Sequence, residues 1–231
     1  MILNISGIEI EINKKDIKHL HLYVKPPNGR VSVSAPLSMP DEAIERFVRI
    51  KLSWIKKQRE KYETQPRQSK REYLSGESFY VMGKQYYLQV NYGFKNSLLL
   101  SGNKAILTVR KESTIKQREH FVREWYRELL KIEINKYLPK WEEKTGIKCT
   151  DWQTKYMTTR WGTCNRTQGK IWFNLMLAKK TPECLEYVIL HELLHFEEKN
   201  HTERFISLMD KYMPLWREIK NSLNGQILDF L

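Results

Sequence analysis

His191-Glu-Leu-Leu-His195-Phe-Glu-Glu-Lys-Asn-His201 is the stretch on which the reading of this chain turns. It holds three of the six histidines within eleven residues. On a helix, residues four apart differ in direction by only ~40°, so His191 and His195 share a face and can grip one metal ion. Glu192 points ~100° away from His191, which lets it flank the ion without ligating it and serve as the base for a metal-activated water. A catalytic zinc needs a third protein ligand and an open position. His201 is the first candidate, reached after the helix turns at Asn200, a residue that tolerates the left-handed conformation. Glu198 competes, because in an unbroken helix it faces the same way as His191 and His195.

The flanking sequence supports a helix here. Thr181-Pro182-Glu183 places a cap, a proline at the first helical position and an acid in the first turn. The predicted helix spans about 182–198. A further helix runs from Thr202 to Leu223, with Pro214 as a break. Upstream, Phe121, Trp125, Leu129 and Ile132 mark one face of a long helix ending near Pro139. Trp152–Thr158 and Lys170–Asn174 read as strands on either side of Arg160-Trp-Gly-Thr-Cys-Asn165.

Residues 1–37 read as β, with IEIEI alternation at 8–12, a Pro26-Pro27-Asn28-Gly29 turn and Val31-Ser-Val-Ser. Ser38 looks like the cap of a basic helix at about 39–60, with Ile44, Phe47, Val48 and Ile55 on its apolar side and Trp54 extending it. Residues 61–78 read as a loop. Phe79–Val90 and Ala105–Val109 read as strands. No internal repeat is visible. The expected fold class is α+β: a β-rich N-terminal part with one helix over 1–112, then a mostly helical zincin-like catalytic part with a short sheet over 113–231.

The chain has 231 residues, 41% of them hydrophobic, enough to bury a real core. No apolar run approaches the ~18–20 residues of a membrane span, and the N-terminus lacks the pattern of a signal peptide. Three cysteines without CxxC spacing do not make a disulfide framework, so a reduced, cytoplasmic setting is expected. The net charge is +13. It is densest over 46–71, where ten Lys or Arg face two acids, a solvated surface or a nucleic-acid or nucleotide contact.

The segment Arg160-Trp-Gly-Thr-Cys164, Ile171–Asn174, Tyr187–His195, Asn200-His201 and Phe205 resembles the YgjP-like metallopeptidases, which are similar to SprT-like and other gluzincin-type small zincins. Val31-Ser-Val-Ser-Ala-Pro36 and Lys51-Leu-Ser-Trp-Ile55 resemble the family's opening pattern. The resemblance implies zinc ligands at His191, His195 and His201 and a catalytic glutamate at Glu192. Thr163 stands where the family has serine. A metzincin carries glycine where this chain has Glu198, which argues against that group. The expected function is a zinc-dependent peptidase acting on peptide or protein. The alternatives are a zinc hydrolase of nucleotides or phosphoesters and a nucleic-acid-binding module with structural zinc.

Overall fold

A computed structural model describes residues 1–25, 28–64 and 71–225. By contacts the chain divides at Pro66/Arg67 into two units.

The first unit holds β1 (Ile2–Ile5), β2 (Ile8–Lys15), β3 (His21–Lys25) and β4 (Arg30–Pro36), then α1 (Asp41–Ile50) and α2 (Leu52–Thr64). The sheet order is β1-β2-β4-β3, with β2 and β4 parallel at its centre. The isoleucine alternation on β2 sends Ile8, Ile10 and Ile12 inward to meet Val31, Val33, Ile44, Val48 and Ile55. The expected single helix is two, interrupted at Lys51, and Ser38 does not cap it: the N-cap is Pro40, without a side-chain bond. Trp54 is exposed, not packed. Arg49 pairs with Glu45 at 2.5 Å, while Lys51, Lys56 and Lys57 are exposed. Part of the expected 26–29 turn and of the 61–78 loop, including Arg67 and Lys70, lies outside the described residues.

The second unit opens with β5 (Ser78–Val81), β6 (Lys84–Tyr92), β7 (Ser97–Ser101) and β8 (Lys104–Val109). Its order, β5-β6-β8-β7 with a parallel central pair, repeats the topology of the first sheet. Both sheets begin with a four-residue strand and a two-residue turn, Ser6-Gly7 and Met82-Gly83, in which both φ angles are positive. This repeat is invisible in the residues, because the two sheets share a pattern of pairing and not of side chains. The Met82-Gly83 turn also splits the single strand expected over 79–90.

Helix α3 (Ile115–Thr145) follows, opened by a Thr114–Gln117 capping box and closed by left-handed Gly146. It runs through Pro139 instead of ending there, because Leu138 and Trp141 continue its buried face. That face is Val122, Tyr126, Leu130 and Ile134, one residue along from the expected stripe, and Ile132 is exposed. Phe79 of β5 stacks on Tyr126 (5.2 Å, 12°), and Tyr126 Oη donates to the Tyr80 carbonyl at 2.7 Å. The β5–β8 sheet therefore shares one core with α3. This is why the contact division falls at 66/67 rather than near 112.

The chain continues as β9 (Asp151–Lys155), β10 (Gly162–Asn165), β11 (Lys170–Asn174), a 3-10 turn at Leu175–Lys179, α4 (Pro182–Leu194), α5 (Glu203–Tyr212) and α6 (Trp216–Gly225). Strand β10 was not foreseen as a strand: it pairs antiparallel with β11 and forms the sheet's edge in the order β10-β11-β9. The expected terminal helix is two helices, broken around Pro214. Among the described residues no helix is long and apolar enough to cross a membrane.

Phe79→Ala removes a fully buried ring from the stack on Tyr126 and should cost about 3–5 kcal/mol. A shift in the urea midpoint corresponding to less than about 1 kcal/mol would show that sheet and α3 are not one core.

Candidate metal centre

Helix α4 is nearly all buried, and it carries His191 and Glu192 in its last turn. Pro182 sits at its start; Thr181 occupies the cap position but makes no side-chain cap bond. The helix ends at Leu194, four residues short of the expected end, so Glu198 is not on a continued helix. Its last carbonyls are taken by the backbone of the following turn, Phe196 N–H donating to Leu193 and Glu198 N–H to Leu194, both at 2.9 Å; the carbonyls of that turn find side-chain partners. Arg166 Nη2 donates to the Phe196 carbonyl (3.0 Å), and His195 Nδ1 lies 3.0 Å from the Glu198 carbonyl. Asn200 does not take the left-handed form: Ser6, Tyr73 and Met82 are the positive-φ non-glycine residues among those described.

This reversal brings His201 back onto α4. The ring nitrogens of His191, His195 and His201 lie within 4.8 Å of one another, and His191 Nε2 faces His201 Nε2 at 3.0 Å. Phe205, buried in the first turn of α5, touches all three rings, with centroids 5.0, 4.9 and 4.8 Å away. Burial, and then the neighbouring His195 and His201, pushes His191 down to about 3. Burial and His195 also lower His201. These imidazoles therefore stay neutral with free lone pairs, which is the state a metal ion requires. His195 Nδ1 on a backbone carbonyl leaves its Nε2 as the acceptor, the second-sphere arrangement usual for a metal-binding histidine. Three converging imidazoles fit a divalent ion. Glu198 contributes its carbonyl to this network; its carboxylate is not among the grouped donors.

Glu192 is 5% exposed and lies against Gly162 of β10. A Cβ at 162 would fall 2.7 Å from both Cγ and Oε1 of Glu192, so only glycine allows the strand to pass. This explains the glycine in the Arg160–Cys164 motif, whose role the residues alone left open. Asn174 holds the approach to that strand. Its Nδ2 donates to the carbonyls of Arg160 (2.7 Å) and Met157 (2.8 Å), and its backbone N–H donates to the Trp161 carbonyl (2.8 Å). Trp161 Nε1 in turn donates to Asn224 Oδ1 of α6 (3.2 Å). Nothing in the sequence distinguished Asn174 from any other strand-ending asparagine; a polar residue closing an apolar β run is the one signal available. Cys164 is held at about 12 by burial and by Glu192, so its thiol stays protonated and is no nucleophile.

The three histidines and Glu192 border a cleft of about 1070 Å³. Arg160 lines it, whereas Tyr156 and Tyr212 do not.

A buried carboxyl beside three converging imidazoles defines a metallohydrolase type of centre. The YgjP-like, metallopeptidase domain profile matches residues 18–226, and the chain belongs to that metallopeptidase family. No curated protein matches. Among solved structures, the metallopeptidase zymogen jannalysin of Methanocaldococcus jannaschii is similar at 22% identity and a TM-score of 0.37, covering 40% of this chain and 94% of that one.

Two predictions follow from the packing of Glu192. Gly162→Ala should destabilise the protein by about 1–3 kcal/mol through overpacking, and much less in a Glu192→Ala background; additive costs would show that the two residues do not meet. The second concerns pH in the metal-free protein. Burial raises Glu192 from 4.5 to about 8, so between these values the folded state binds the extra proton and stability falls as pH rises. His191, lowered from 6.5 to about 3, acts oppositely: the unfolded state binds its proton, and stability falls as pH drops through that window. Glu192→Gln removes only the first effect. In a chelator the variant should melt above the wild type at about pH 8, with the gap closing toward 4.5. A lower Tm at pH 8 would contradict the burial cost.

Proposed function

We propose that this protein is a zinc-dependent peptidase with His191, His195 and His201 as metal ligands and Glu192 as general base. The observation that carries this reading is the meeting of three imidazoles with one buried carboxyl in the lining of a single cleft. An all-imidazole donor set suits zinc, and a carbonyl-rich site for magnesium or calcium is absent from this donor group. A zinc ion held there supplies Lewis acidity, polarising a carbonyl and lowering the pKa of water toward ~7.

The chain's own residues do the rest. In the metal-free protein burial raises Glu192 to about 8 and the charge of Arg160 draws it down; a divalent cation beside it would favour the carboxylate form that a base needs. Its carboxylate accepts the proton of the attacking water and returns it to the leaving amine. Gly162 leaves room for that carboxyl. The unpaired edge of β10 offers backbone N–H and C=O groups along the cleft, where an extended peptide can add as a further strand. Asn174 and the Trp161–Asn224 bond hold that edge in place.

Metal content and turnover on an unfolded protein substrate test the reading together. Glu192→Gln should keep zinc bound and lose ~100–10,000-fold in kcat; full turnover would exclude it as the base. His201→Ala should lose most of its zinc, and unchanged stoichiometry would mean that another group is the third ligand. Turnover confined to nucleoside triphosphates would replace peptidase with phosphohydrolase.

A further inference from the structure

We propose that the cleft selects acidic peptide segments, with carboxylates on both sides of the cleaved bond; this rests on the reading of β10 as a peptide-binding edge. Four cations line the cleft: Arg160, Arg166, Lys199 and Lys220. Its one lining carboxylate is Glu192, which is buried against Gly162. All four cations are exposed, and among the described residues none of them makes an ion pair. On α3, by contrast, Arg123, Arg127 and Lys131 each pair with a glutamate three or four residues earlier. Four cations without an ion pair thus border one cleft whose single lining carboxylate is buried.

Its placement matches an extended ligand. Arg160 precedes β10 by two residues and Arg166 follows it by one, so a cation flanks each end of the edge strand. At ~3.3 Å per residue a peptide paired along the four residues of β10 places side chains beside both ends. Lys199, in the segment that returns to His201, and Lys220, on α6 packed against α4, line the same cleft. Arg166 also holds the Phe196 carbonyl, so its guanidinium is anchored where it stands. Charge complementarity of this kind governs encounter and selectivity and weakens with salt. A lysine-rich peptide meets four like charges, whereas an acidic one replaces solvent around them.

The test is binding to zinc-loaded Glu192→Gln, read by fluorescence anisotropy, so that no turnover is needed. Three peptides differ only in having Glu, Gln or Lys at the second and third positions on either side of a central dipeptide. The Glu peptide should bind about tenfold more tightly than the Gln peptide at low salt, and the Lys peptide more weakly than either. The Glu advantage should shrink severalfold at about 0.3 M salt. Lys199→Glu, at an exposed site, should erase most of the preference, and Lys220→Glu should do the same. Equal affinity for the three peptides overturns the inference, as does an inorganic triphosphate or an oligonucleotide binding more tightly than the Glu peptide. Wild-type cleavage separates the two readings. Selective binding without cleavage sinks the peptidase and leaves the selectivity; cleavage indifferent to charge sinks the selectivity and leaves the peptidase.

Discussion

The contact between Glu192 and Gly162 is the constraint on which the second unit is organised. A carboxyl on a buried helix is costly unless something specific is gained from it. Here it is pressed against a strand backbone with no side chain between them. That approach demands glycine at 162, a strand edge held to within a fraction of an ångström, and a helix that carries Glu192 rigidly. The Asn174 network supplies the second requirement, and the apolar surroundings of α4 supply the third.

The histidine cluster depends on how α4 stops. If the helix ran on to Glu198, His201 would be carried away from His191. Instead the chain turns after Leu194, its last helical carbonyls bonded by the turn's backbone and the turn's own carbonyls by Arg166 and His195. One imidazole thus serves both as a donor that holds the turn and as a member of the triad. Phe205 then fixes the spacing of all three rings from below, which is why α5 begins so soon after His201. Site and fold are not separable here, because the groups that end the helix are the groups that make the cluster.

Much of this was legible beforehand. Alternation on β2, the proline start of α4 and the histidine spacing each express a local rule that survives folding, although the Thr181 side chain makes no cap bond. The failures have one cause. Pro139 reads as a helix end, yet α3 continues because its packed face does. Strand β10 reads as a loop, since a Trp-Gly-Thr-Cys run has no alternation and its strand character comes from pairing with β11. The division near residue 112 followed a change in composition, whereas contacts put it at 66/67, because Phe79 and its sheet pack on Tyr126 of α3. The repeated sheet topology had no sequence trace at all.

By itself the sequence determined the α+β class, the membership of His191, Glu192, His195 and His201 in one cluster of chemistry, and the basic character of the chain. These depend on residue type and on spacing along one or two turns. Only the tertiary structure decided that Glu198 offers a carbonyl, that Gly162 is the seat of Glu192, that Asn174 holds the edge strand, and that four unpaired cations converge on the cleft. The last three join residues far apart in sequence through hydrogen bonds, close backbone approach or a shared surface, and the first turns on where α4 stops. Such proximity is set by how whole elements pack, and no local pattern encodes it.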